Sequence, residues 1–110
     1  MNGQQAVLAV TTVASGDDAA NLVRALLEQR LIACGSILPA MRSMYRWEGR
    51  IADESEVLVL LKTTADRVDA LKVALPALHP YEVPELLVFE ASGGLPGYLA
   101  WLANEVRPSE

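Results

Sequence analysis

The sequence predicts an α+β sandwich with the element order β-α-β-β-α-β and an extra helix at its C-terminal end. Residues 6–13 form a continuous apolar run, which is typical of a central strand. Two stretches with apolar residues at helical spacing flank a long run of strand-forming residues, 31–64. This order is the split β-α-β pattern, whose right-handed crossovers place both main helices on one face of an antiparallel sheet. The other face of the sheet is left without cover.

The first helix has a clear start in the sequence. Ser15 is a suitable N-cap, and Asp17 and Asp18 follow in the first turn, where the helix dipole favours negative charge. Apolar residues then recur on one side as far as Leu27, which predicts an amphipathic helix lying on the sheet.

The hairpin formed by residues 31–64 is longer than the body that carries it. Gly49 supplies the positive φ of a tight turn, and each arm of about 15 residues spans roughly 50 Å as a strand. A compact chain of this length measures only about 35 Å across. Pro39 lacks a ladder donor and marks a bulge, bend or edge in the first arm. The polar residues 53–56 predict an irregular start to the second arm.

The overhanging part of this hairpin exposes large apolar side chains and open backbone groups, which invite pairing with another chain. The side chains concerned are Met41, Met44, Tyr45 and Trp47. We therefore expect a homo-oligomer whose subunits clasp one another through the hairpin. The alternative is a ribbon that bends at Gly35 or Pro39 and folds back on its own subunit.

The second half of the chain completes the pattern. Thr63 or Thr64 is expected to cap the second helix, and Pro76 to kink it or tighten its last turn. His79 falls in the final turn of that helix. Residues 85–90 form the fourth strand, and a short helix closes the chain.

Size and charge restrict the class of protein. The 110 residues are expected to form one domain, residues 1–110. A net charge of −5 argues against binding to nucleic acid or to an anionic membrane, and no apolar stretch has the length of a membrane span. The single cysteine, Cys34, allows no intrachain disulfide and favours a reducing compartment, so we expect a cytoplasmic protein.

Cys34 and His79 are the candidates for soft metal ligation. Each also has a structural explanation, because a cysteine among apolar neighbours packs as a small side chain and a histidine at a helix end binds a free carbonyl. A metal site needs three or four ligands, so Glu82, Glu85, Met41 or a neighbouring subunit would have to complete it. No orienting residue supports a cysteine–histidine nucleophile, and we expect no enzyme activity.

Three arginines, Arg42, Arg46 and Arg50, gather on the hairpin of an otherwise acidic chain. We expect cross-strand ion pairs for them, with the binding of an anion as the alternative. The expected partners are Glu48, Glu54 and Glu56.

Five blocks of residues resemble the CutA divalent-cation-tolerance family. They are EQRLIAC at 28–34, YRWEGRI at 45–51, VLVLLKT at 57–63, HPYEVPE at 79–85 and YLAW at 98–101. The resemblance spans about residues 6–106, with the blocks in family order and spacing, and the second and fourth blocks together are specific.

The resemblance implies a ferredoxin-like subunit in a tight homotrimer, with strands of adjacent subunits joined and the sheets facing inward. It implies kinship with the PII signalling proteins in fold and assembly, and a role in tolerance of copper and other divalent cations. The weak metal site that it implies uses Cys34 and His79, to which we add Glu82 as a carboxylate ligand. Thr11 stands where some members carry a further cysteine, which weakens a thiol-rich copper site here.

Two other functions remain open on the sequence. One is a PII-like regulator whose clefts between subunits bind a small anion or a partner protein through Arg42, Arg46 and Glu48 beside Trp47. The other is a structural scaffold in which the trimer itself is the function.

Overall fold

The computed structural model describes residues 4–108, which form an antiparallel sheet and three helices. The strands are β1 (Ala6–Val13), β2 (Cys34–Ile37), β3 (Met41–Trp47), β4 (Arg50–Thr64) and β5 (Leu87–Glu90). The helices are α1 (Gly16–Glu28), α2 (Val68–Leu78) and α3 (Pro96–Glu105). Within the described range, none of these helices is long and apolar enough to cross a membrane.

The sheet has the strand order β2-β4-β1-β5, and β3 pairs with the other half of β4. All pairings are antiparallel, with Ala9 of β1 opposite Leu61 of β4 on one side and Val88 of β5 on the other. The predicted α+β, ferredoxin-like arrangement is therefore confirmed. The stretch that the sequence presents as one long second strand is divided into β2 and β3.

Helices α1 and α2 cover one face of the sheet and enclose the main core. Helix α1 starts as predicted, since the Ser15 hydroxyl at its N-cap accepts a hydrogen bond of 3.1 Å from the amide of Asp18. Gly35 in β2 allows α1 to approach closely, because a Cβ there would stand only 2.6 Å from Cγ1 of Val23. The core residues of the sheet alternate along β1 and β4: Ala9, Val13, Val57, Val59 and Leu61.

A β-bulge separates β2 from β3. Ile37 pairs with Val59 and Met41 pairs with Glu56. An advance of four residues from Ile37 to Met41 therefore matches an advance of only three residues along β4. The extra residue lies among residues 38–40, around Pro39, where the sequence predicts an irregularity of this kind. One inserted residue exchanges the two faces, so even-numbered residues of β2 and odd-numbered residues of β3 point to the same side.

The start of β4 is regular, so the predicted irregularity at residues 53–56 is wrong. All seven residues of β3 pair with residues 50–56 of β4, and this backbone pairing outweighs the weak strand preference of the acidic residues. The turn between the two strands has positive φ at both Glu48 (49°) and Gly49 (76°), as a two-residue type I′ hairpin requires.

Helix α2 begins later and ends earlier than predicted. Thr64 ends β4 and is followed by a 3₁₀ turn, Ala65–Arg67, before α2 starts. The helix continues through Pro76 to Leu78, and His79 follows with an extended backbone rather than lying in the last turn.

Candidate functional site

The face of the sheet opposite α1 and α2, here called the open face, carries a band of apolar side chains. Its members alternate with the core residues: Leu8 and Val10 of β1, Leu58 and Leu60 of β4, and Leu87 and Phe89 of β5. Leu87 and Phe89 are 54% and 53% exposed in a single chain. Exposed apolar surfaces of this kind are typical of sites that contact another protein, a membrane or a ligand.

β3 and residues 50–56 of β4 form a two-stranded ribbon, here called the arm. The molecule measures 44 × 28 × 23 Å, and β3 packs chiefly on β4 instead of folding back on its own subunit. Tyr45 and Trp47 lie on the open-face side of the arm with the half-buried Met41, whereas Met44 points to the opposite side. Met44, Tyr45 and Trp47 are exposed in a single chain.

Polar pairs connect the two strands of the arm on both of its sides. The Arg42 guanidinium donates hydrogen bonds of 2.9 and 2.7 Å to the Asp53 carboxylate and holds the pKa of that carboxyl below its usual value. On the open-face side the Tyr45 hydroxyl donates to Glu54. Arg42 thus makes the cross-strand pair expected of it, but with Asp53 in place of a glutamate. Anion binding by the arginines stays a prediction.

His79 connects separate segments at the root of the arm. Its Nε2 lies 2.8 Å from the carbonyl oxygen of Thr12 near the end of β1, and its Nδ1 lies 3.1 Å from the backbone nitrogen of Tyr81. A carbonyl oxygen can only accept and a backbone N–H can only donate, so Nε2 carries the proton and Nδ1 accepts. His79 is 7% exposed. Both nitrogens of this buried imidazole are therefore engaged.

Tyr81 extends this connection to β4. Its hydroxyl donates a hydrogen bond of 2.7 Å to Oε2 of Glu56, which is buried opposite Met41, the first residue of β3. Burial, followed by the bond to Glu56, raises the pKa of the Tyr81 phenol, so the hydroxyl remains a donor at neutral pH. Within residues 4–108 the Glu56 carboxylate has no ion-pair partner. The hydrogen bond from the phenol therefore offsets part of the free-energy cost of burying the Glu56 carboxylate.

Cys34 lies at the far end of the open face from Glu56. Its Sγ is 3.9 Å from the hydroxyl of Ser36, to which the Lys62 ammonium donates a hydrogen bond of 3.5 Å. The thiol is partly accessible. The positive charge of Lys62 therefore repels a metal cation that approaches Cys34 over the surface of the same chain.

The three predicted metal ligands are not brought together within one chain. Cys34 is aligned through β4 with Leu8, whereas His79 contacts Thr12, so strand geometry puts the two side chains roughly 15 Å apart. Glu82 is exposed on the turn after α2. Among residues 4–108 no group of three His, Cys, Asp or Glu side chains could hold a metal ion. A site built from these residues would need more than one copy of the chain, and it stays a prediction.

Sequence reasoning singled out His79 but not the role of its partners, Tyr81 and Glu56. Tyr81 lies only two residues after His79, and this short spacing is the only feature of the sequence that indicates a contact between the two rings. The bond from Tyr81 to Glu56 joins residues 25 positions apart and depends on the fold, so no spacing rule reveals it.

A groove of about 590 Å³ lies away from these residues, between the start of β1 and α3. The described residues that line it include Gln5, Ala91, Leu99 and Ala103, and none of these described residues carries a charged side chain. The described lining residues therefore offer no charged group for acid–base or metal chemistry.

Comparison with known proteins gives consistent sequence matches. The model of the CutA1 divalent ion tolerance protein family matches residues 7–105. The divalent-cation tolerance protein CutA of Pectobacterium atrosepticum is 43% identical over 102 residues, which cover 93% of each chain. The CutA protein of Thermus thermophilus is 43% identical over 91 residues, covering 83% of this chain and 88% of its own.

Solved structures share the fold. The crystal structure of CutA from Xylella fastidiosa has a TM-score of 0.90 at 39% identity, covering 94% of this chain and 99% of that one. A structure from Archaeoglobus fulgidus, described as a periplasmic divalent cation tolerance protein CutA, has a TM-score of 0.89 at 26% identity and covers 93% and 99%. The sequence and the fold both match those of CutA proteins over nearly the whole length of the chain. This chain therefore belongs to the CutA1 divalent ion tolerance protein family.

Proposed function

We propose that this chain acts in divalent-cation tolerance as a homotrimer whose copies cover one another's open faces and clasp one another through the arm. The observation that carries the proposal is the apolar band on the open face, which α1 and α2 leave uncovered in a single chain. Burying Leu87 and Phe89 against another subunit would remove their exposed halves from water. Tyr45 and Trp47 extend the same surface along the arm.

The proposed trimer binds copper or another divalent cation weakly. Cys34 offers the soft sulfur ligand that copper prefers, and the exposed Glu82 of another copy offers a carboxylate. His79 could join this set only by giving up its bond to Thr12 or to Tyr81. The relatives are named for cation tolerance, and no catalytic step is assigned to this chain.

Sedimentation velocity tests the assembly. The wild-type chain should sediment as a trimer at micromolar concentration, and Leu60→Asp, at the centre of the open face, should sediment as a monomer because it places a charge on the contact surface. Val73→Asp on the exposed side of α2 is the matched control and should remain a trimer. A monomeric wild type, or a trimeric Leu60→Asp, would rule out the open face as the contact.

Isothermal titration tests the cation site. Copper should bind the wild type weakly, and Cys34→Ser should lose most of the heat while Ser55→Ala, an exposed serine on the opposite side of the arm, retains it. Glu82→Gln should weaken binding to a smaller extent, because one ligand of several is lost. Equal heats from the wild type and Cys34→Ser would remove Cys34 from the site.

The proposed compartment is the cytoplasm. The lone Cys34 is suited to a reducing environment, although the Archaeoglobus fulgidus relative is described as periplasmic. Cell fractionation with antibody detection distinguishes the two, and recovery of the chain outside the cytoplasm would overturn the assignment.

A further inference from the structure

We infer that His79 is a positioning residue that fixes the root of the arm and is not a ligand of the divalent cation that the family name implies. The contacts of its imidazole within a single chain carry the inference. The inference rests on the proposed function in one respect: if the trimer is clasped through the arms, the contacts of His79 determine the direction of each arm.

The first step concerns the two ring nitrogens of His79. A metal-binding histidine uses one nitrogen for the metal and donates the N–H of the other to a carbonyl or carboxylate. The Nε2–H bond to the Thr12 carbonyl fits the second role, which leaves Nδ1 as the only position for a metal. That atom already accepts from the backbone N–H of Tyr81 at 3.1 Å. A cation there would leave this amide without its acceptor, which is costly in a partly buried place.

The second step concerns the ligands that a cation at His79 would need. The carboxylate that this network reaches is that of Glu56, and it already accepts a hydrogen bond from the Tyr81 hydroxyl. Cys34 lies at the other end of the open face, and Glu82 is exposed to solvent. The described part of the chain assembles no group of three metal-binding side chains around His79.

The third step concerns what the network holds in place. Through His79 and Tyr81 the end of β1 is tied to Glu56, which pairs with the first residue of β3. Beyond Glu56 the arm consists of only β3 and β4, and an isolated two-stranded ribbon is marginally stable. A bond at its root therefore restricts the direction in which the arm leaves the sheet. The pair between Tyr45 and Glu54 continues the restraint along the open-face side.

Nitrogen NMR of the full-length protein labelled with ¹⁵N-histidine tests the first two steps, because the chain contains a single histidine. The imidazole should give the two well-separated resonances of a neutral ring protonated at Nε2. Addition of excess zinc, a diamagnetic cation, should leave both resonances in place. A saturable shift of the Nδ1 resonance with zinc, or a ring protonated at Nδ1, would overturn the inference.

Hydrogen exchange tests the third step with Tyr81→Phe, which removes only the hydroxyl that reaches Glu56. Exchange of the amides at residues 54–58 should become at least about tenfold faster, since a hydrogen bond to a charged group is lost. Tyr98→Phe, an exposed tyrosine on α3, is the matched control and should leave these amides unchanged. His79→Phe keeps a ring of similar size and should reproduce the acceleration. Equal exchange in wild type and Tyr81→Phe would refute the positioning role.

The two proposals fail separately in these experiments. A monomeric wild type would overturn the proposed trimer, yet the tautomer, the zinc response and the exchange at residues 54–58 can still be measured on it. A zinc-shifted His79 in a stable trimer would overturn the positioning inference and leave the assembly intact.

Discussion

Replacing Phe89 by alanine tests the proposed trimer, because it measures how much the open face would contribute to assembly. The side chain is 53% exposed in a single chain, and complete burial of a phenylalanine contributes roughly 1.5–3 kcal/mol. Covering the exposed half in a subunit contact is therefore worth about 1 kcal/mol per copy. In the proposed trimer three copies would lose about 3 kcal/mol together, which corresponds to about a hundredfold change in its dissociation constant.

Sedimentation across a dilution series, with enough denaturant to bring dissociation into range, measures this change. Phe89→Ala should shift the trimer–monomer midpoint to higher protein concentration, whereas Val73→Ala on the outer side of α2 should not. Val73 is also an exposed apolar residue, so the control separates the open face from a general loss of surface apolarity. Superimposable curves for Phe89→Ala and the wild type would refute the idea that this face is buried in the assembly.

Three further predictions concern the subunit itself. Gly35→Ala should lower the free energy of unfolding by about 1–3 kcal/mol, because the new methyl group overpacks against Val23. Adding Val23→Ala should recover part of this loss, as measured by urea unfolding. If the two losses of free energy simply add in the double variant, the packing of Gly35 against Val23 is contradicted. Gly49→Val should cost about 1–2 kcal/mol, seen as a lower thermal midpoint, because its φ of 76° strains a side chain. Arg42→Ala should lower the unfolding midpoint at neutral pH but not in acid. Arg42 lowers the folded-state pKa of Asp53, so its contribution is present above the ordinary carboxyl pKa and disappears as the pH falls through the lowered one. A difference that persists in acid would argue against this pair.

The parts of the fold that sequence reasoning predicted depend on short-range chemistry. Ser15 caps α1 through the amide three residues later, and Gly49 adopts the positive φ of its turn without help from distant residues. The bulge near Pro39 follows from a missing backbone donor. In each case the physical cause lies within a few residues of its effect, which is why the pattern is visible in the chain.

The parts that sequence reasoning missed depend on contacts between distant segments. Residues 53–56 are weak strand formers, yet β3 holds them in a regular ladder and Arg42 pairs with Asp53 across it. The sequence suggests that His79 is either a metal ligand or a helix-end residue, but its bonds to Thr12 and Tyr81 follow from where β1 ends in the folded sheet. Propensity and spacing do not carry this information.

The bulge at residues 38–40 determines which side chains the arm presents next to the open face. With the extra residue, Tyr45 and Trp47 of β3 lie on the same side as the apolar band of β1 and β4. Without it, the alternation of the strand would place Arg42 and Arg46 there instead. In a subunit contact, the burial of two guanidinium groups would carry a large desolvation penalty, whereas the burial of aromatic rings is favourable. A single inserted residue thus puts the aromatic side chains of the arm on the same side of the sheet as the apolar band, and the bond between Tyr81 and Glu56 holds the arm at the point where the two parts meet.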